Sequence, residues 1–110
     1  MNNLLPIFLK LENTHCLIVG GGNIALQKIN QLLDCNADVT VVAPNILADI
    51  TSLPVSIMNR KYRLTDLQNS KIVIAATNDP ALNKKISIDA NNIGIPVNVV
   101  DIPELCSFYM

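Results

Sequence analysis

The chain has 110 residues, half of them apolar, with eight Lys and Arg against nine Asp and Glu and a formal net charge of −1. That length suits one domain with one core, and so apolar a composition excludes a disordered chain, which could not offset its ordering entropy. The near-neutral charge carries no basic stripe for nucleic acid, and no apolar run reaches the ~18 residues of a membrane span.

Leu4 to Leu11 alternates in polarity and is expected to add an extra strand, joined to the next through Glu12–Asn13–Thr14. Cys16 to Val19 is a continuous apolar run ending in three glycines, the pattern of a buried strand. From Asn23 to Cys35, Ile24, Ala25, Ile29, Leu32 and Leu33 fall on one helical face, and Asn36 follows where a left-handed cap is expected. Val39 to Ala43 is a second strand, β-branched almost throughout and stopped by Pro44. Asn45 to Ser52 reads as a short helix and Val55 to Met58 as a third strand. Thr65 and Gln68 have capping-box spacing for a helical turn over Asp66–Asn69. Ile72 to Ala76 is a fourth strand. Asp79 and Pro80 then supply an N-cap acceptor and a proline at the first helical position. That helix runs to about Asn92 with Leu82, Ile86 and either Ile88 or Ala90 inward, and Gly94 ends it. Pro96 to Val100 is a fifth strand with Asp101 at its carboxyl end.

Aliphatic strands alternating with helices predict an α/β fold, a Rossmann-type doubly wound parallel sheet of strand order 3-2-1-4-5. The scarcity of aromatic residues (two Tyr, two Phe, no Trp) agrees with an aliphatic core of this kind. No linker or repeat divides residues 1–110, so one domain is expected. Cys16, Cys35 and Cys106 are odd in number and form no CxxC pair, which reads as reduced thiols of a cytoplasmic protein. Met1 to Leu11 lacks the basic opening of a signal peptide. His15 has no partners at metal-ligand spacing, so no metal site is expected.

Gly20-Gly21-Gly22-Asn23-Ile24-Ala25 fits the dinucleotide fingerprint G-x-G-x-x-G/A. Gly20 permits the tight turn, Gly22 lets a pyrophosphate approach the backbone, and Ala25 lets the helix pack closely on the sheet. The helix amino terminus adds free N–H groups and a positive dipole end. A packing turn without ligand would show the same glycines, but the placement between a strand and a helix favours the nucleotide. No Asp or Glu ends the second strand, where one usually holds the ribose hydroxyls, and Asn45 with backbone groups near Pro44 must serve instead. No arginine stands there for a 2′-phosphate, so the preference for NAD over NADP is slight. Two further strand ends, Thr77-Asn78 and Asn98 to Asp101, lie where ligands bind in such sheets. On spacing alone, Asp101 is either a proton acceptor beside the nicotinamide or a turn cap before Pro103.

Leu5-Pro6-Ile7-Phe8, Val19 to Gly22, Val39 to Pro44, Ala75 to Asp79 and Asn98 to Asp101 occur in that order. Together they resemble the amino-terminal domain of siroheme synthase, the precorrin-2 dehydrogenase family, over essentially the whole chain. The resemblance implies oxidation of precorrin-2, a tetrapyrrole, to sirohydrochlorin with NAD as acceptor and the aspartate matching Asp101 in catalysis. It places cofactor contacts on Asn23, Ile24, Pro44 and Asn45, with Thr77 and Asn78 against the cofactor. Family chains continue past the Phe108 region into a helical dimerisation and substrate-binding segment, whereas this one stops at Met110. Nucleotide binding is therefore expected, with turnover and a homodimer left open. Arg60, Lys61 and Arg63 are candidates for substrate carboxylates, or a solvated surface patch. The rival reading is a ligand-sensing Rossmann module without catalysis, although such modules typically keep the acidic residue after the second strand.

Overall fold

A computed structural model describes residues 3–110 of the chain; the expected domain's first two residues lie outside them. Five strands, β1 (His15–Val19), β2 (Asp38–Val42), β3 (Ser56–Met58), β4 (Ile72–Ala75) and β5 (Val97–Val99), form one sheet in the order β3-β2-β1-β4-β5. Every pairing is parallel. The predicted order is therefore the observed one. Cys16 pairs with Val39 on one side and Ile72 on the other, so three aliphatic runs lie side by side in register.

Side chains alternate across such a sheet, and the alternation divides the core in two. Cys16, Ile18, Val39, Val41, Ile72 and Ile74 face helix α1 (Asn23–Asp34) and its buried Ala25, Ile29 and Leu32. Leu17, Val19, Val42, Val73, Ala75, Val97 and Val99 face helix α3 (Pro80–Asn92) through Ile86 and Ala90. Each fully buried Leu, Ile or Val stabilises the fold by about 1.5–3 kcal/mol. Both faces are covered, which is why the strands read as continuous apolar runs. A four-residue helix α2 (Ala48–Thr51) sets Ile50 into the first core.

Local chemistry explains the element ends. Asn36 is left-handed, with φ 58°, as its place after α1 requires. Asp79 caps α3 through its carboxylate, which accepts from the backbone N–H of Ala81 at 3.1 Å and Leu82 at 3.3 Å.

Three expectations are corrected, and one open alternative, on α3, is resolved. Residues 4–11 form no strand: Leu5, Ile7 and Phe8 lie exposed and only Leu11 reaches the core. The turn near Thr65 is a 3-10 turn over Leu64–Leu67, capped at Arg63, whose backbone N–H donates to Asp66 at 2.8 Å. On α3, Ala90 turns inward and Ile88 outward, while Asn83 and Ser87 are buried. On α1, Ile24 is about half exposed rather than packed.

The outer edge of β5 is covered by the segment that follows it, a feature the periodicities did not reveal. Ser107 and Val97 exchange bonds through the Ser107 backbone N–H and its hydroxyl, both at 2.8 Å. The Cys106 thiol accepts from Val99 N–H at 3.2 Å, and Asn98 donates to the Phe108 carbonyl at 3.0 Å. An edge closed by its own chain cannot recruit a foreign strand.

Candidate functional site

The site is built where β1 hands the chain to α1. Gly20 has φ 138°, a conformation side chains rarely adopt, and a Cβ there would overlap the Ala76 carbonyl beyond β4. Gly21, which the fingerprint leaves unspecified, is as constrained: its Cβ would overlap the Asn45 carbonyl, and its own carbonyl accepts from Leu47 N–H at 2.9 Å. The loops after β2 and β4 thus close on the first two glycines from both sides. Gly22 differs, because nothing lies within 4 Å of where its Cβ would stand.

Gly22 is also the extended N-cap of α1, and no side chain caps that helix. Its first-turn N–H groups are left for a ligand. Open space at Gly22 beside uncapped donors fits a pyrophosphate. Asn23 and Ile24 lie exposed at the same helix start, and Ala25 is fully buried beneath it.

Pro44 and Asn45 follow β2 as an exposed loop. Asn59, just beyond β3, holds that loop: its side-chain amide donates to the Ala43 carbonyl at 3.1 Å and the Pro44 carbonyl at 2.9 Å. On the other side, the Thr77 hydroxyl donates to Asn83 Oδ1 at 2.5 Å, and Asn83 Nδ2 donates back to the Thr77 carbonyl at 3.1 Å. Thr77 is thereby committed to the loop, and Asn78 is left as the exposed side chain of the pair. Sequence reasoning missed Gly21, Asn59 and Asn83. Asn83 left one signal, a polar residue one turn before Ile86 on the inner face of α3.

Asp101 follows β5 in a left-handed turn, with φ 66°, and is exposed. It lines a cavity of about 160 Å³ together with Lys28, Asn98 and Cys106. β5 stands two places from β1, so Asp101 and the glycine turn are offset by roughly 10 Å across the sheet. Both occupy the carboxyl ends of the strands, where open α/β sheets bind ligands. A larger cavity of about 450 Å³, lined by Glu12, Asn36 and Pro54, lies at the opposite pole ahead of the strands.

The basic trio does not act as one patch. Arg60 grips Asp66 through two N–H bonds of 2.9 and 2.6 Å. Burial works against ionisation of Asp66, but these bonds and the Arg63 backbone N–H outweigh it and hold the carboxyl below its usual range. Burial, then the bond to Asp89 at 3.0 Å, pushes the Tyr62 hydroxyl well above its ordinary value. Among the described residues no group of His, Cys, Asp or Glu is placed to hold a metal ion, and no helix is long and apolar enough to cross a membrane.

A parallel sheet of order 3-2-1-4-5 with an uncapped glycine turn at its centre defines a dinucleotide-binding domain of Rossmann type. Residues 7–110 match the family described as "Putative NAD(P)-binding", and the chain belongs to that family. Its relatives include the siroheme synthase of Methylococcus capsulatus, 45% identical over 108 residues, and that of Ectopseudomonas mendocina, 48% identical over 105. Each alignment takes in 94% of this chain and 23% of the relative, so the chain spans less than a quarter of those proteins. The solved structure "SirC, precorrin-2 dehydrogenase" superposes with TM-score 0.75 at 31% identity, covering 96% of this chain and 51% of that one. D-lactate dehydrogenase from Escherichia coli shares the fold alone, with TM-score 0.62 at 14% identity over 83% of this chain and 29% of that protein.

Proposed function

We propose that this chain is the nucleotide-binding and proton-accepting part of an NAD-dependent precorrin-2 dehydrogenase. The observation that carries the reading is the match of 96% of the chain to a solved precorrin-2 dehydrogenase. The siroheme synthases, at 45–48% identity, support it independently.

Conversion of precorrin-2 to sirohydrochlorin removes two electrons and two protons. NAD, when bound, supplies the two-electron acceptor. Gly20 makes the tight turn, Gly22 admits the pyrophosphate and the first-turn N–H groups of α1 hold it, with Asn23, Ile24 and Ala25 completing that turn. Pro44 and Asn45 receive the adenosine ribose on a loop braced by Asn59. With no carboxylate there, ribose recognition falls to the Asn45 amide and the backbone. Thr77 and Asn78 form the cofactor's other wall, set by Asn83. Asp101, exposed beyond β5, takes the remaining substrate proton on its carboxylate. A cytoplasmic place of action goes with this reading, supported by free thiols at Cys16, Cys35 and Cys106.

The test is an anaerobic assay with precorrin-2 and NAD⁺, following sirohydrochlorin spectroscopically, with NAD affinity measured by calorimetry on the same sample. Asp101→Asn is expected to keep NAD affinity within about twofold and to lower kcat by at least ~100-fold, in the range of a lost general base. Full activity in that variant would remove Asp101 from the chemistry.

A further inference from the structure

The cavity beside Asp101 has one cationic wall. Lys28 lies on the second turn of α1, half-buried, and lines the same space as Asn98, Asp101 and Cys106. The two ion pairs among the described residues are Arg60–Asp66 and Lys85–Asp89, and neither uses Lys28. A lysine tucked against protein gives up part of its hydration, and an ammonium has three donors to satisfy. Here no carboxylate of the fold meets them.

We infer that Lys28 and this cavity form a subsite for one carboxylate arm of the substrate, held by the ammonium while the ring lies outside over Asp101. The inference rests on the proposed dehydrogenase reading for the identity of the substrate. Size decides between arm and ring. Pockets that engulf a whole drug-sized ligand run to about 300–1,000 Å³, whereas this cavity is about 160 Å³. It admits a short acetate- or propionate-like chain and excludes a macrocycle.

Charge makes the same choice. Asp101 places a negative group on the cavity wall, so an anionic arm enters only where a cation offsets the repulsion. Arg60 does not supply that cation, because its guanidinium is paired with Asp66 beyond β3 and also donates to the Lys61 carbonyl. Lys28 also separates the two halves of the site. It lies on the helix whose first turn meets the pyrophosphate, yet points to the β5 end of the sheet. One helix thus sets the substrate arm relative to the cofactor.

The experiment is an equilibrium titration of the chain with sirohydrochlorin, read by absorbance, on wild type, Lys28→Met and Lys28→Arg, with NAD affinity measured in parallel and kcat and KM for precorrin-2 on the same proteins. Lys28→Met should weaken tetrapyrrole binding and raise KM by about tenfold, the scale of one charge-assisted hydrogen bond. Its kcat and NAD affinity should stay within twofold, and Lys28→Arg should bind within about threefold of wild type. Wild-type tetrapyrrole affinity in Lys28→Met overturns the subsite and leaves the dehydrogenase reading standing. A fall in kcat at unchanged affinity also overturns it, since Lys28 would then act through Asp101. A wild-type chain that binds NAD but no tetrapyrrole removes both the substrate reading and the subsite.

Discussion

Three adjacent glycines do three different things. Gly20 and Gly21 are required by the fold, since a Cβ on either would strike the backbone of a neighbouring loop, at Ala76 and Asn45. Gly22 faces open space, so the folded chain alone does not explain it. Its role shows only with a ligand pressed against the turn. The residues therefore separate in experiment. Gly22→Ala should melt within a few degrees of wild type and lose at least tenfold in NAD affinity by calorimetry. Gly20→Ala should lower the melting temperature strongly, because its φ of 138° and the Ala76 contact both resist a side chain. Unchanged NAD affinity in a folded Gly22→Ala protein would show that the pyrophosphate does not lie over that residue.

Among the elements, the turn beyond β3 depends on one carboxylate. Asp66, its side chain only 6% exposed, accepts two bonds from Arg60 and one from the Arg63 backbone. Its folded carboxyl sits below the ordinary value of 3.8. The stabilisation is thus complete above that value and disappears as pH falls through the lower, folded one. Urea melts should show wild type losing stability as pH drops below about 4, and Asp66→Asn, weaker at neutral pH, should lose less over the same window. Parallel slopes would mean that other carboxylates carry the acid response. The capping pattern at Thr65 misled because the decisive partner, Arg60, lies six residues from Asp66 and is no part of a helix-start motif. The strands were legible because each is buried on both faces and reads as an unbroken aliphatic run. Leu4 to Leu11 carries a strand-like alternation, yet the sheet ends at β3 and β5 and offers it no place in the order. The site divided along the same line. Its glycine turn and strand ends are local signals, whereas Asn59 and Asn83 brace loops from 15 and six residues away, contacts that no periodicity encodes.

At the scale of the whole molecule, the proposed cofactor site is assembled from both halves of the sheet. The glycine turn at the centre is pressed by the loop after β2 on one side and by the loop after β4 on the other. Those loops belong to chain segments about thirty residues apart, and they meet only in the native state. A ligand seated there binds the folded chain and not the unfolded one, so it must raise stability by mass action. At a NAD concentration 100 times Kd the gain is about 2.7 kcal/mol, and a domain near this size shifts by about 4–8 °C for each kcal/mol. Thermal melts should therefore rise by roughly 10 °C or more in wild type at that concentration. Gly22→Ala should respond only at proportionally higher concentration, and Asp101→Asn should respond as wild type does, because in the proposed reading its carboxylate meets substrate rather than cofactor. Melts unmoved by millimolar NAD would place the dissociation constant above that range and leave the glycine turn as a packing device. A rise in wild type and Asp101→Asn, delayed in Gly22→Ala, would put NAD on the glycine turn beyond β1 and leave Asp101, beyond β5, outside its binding.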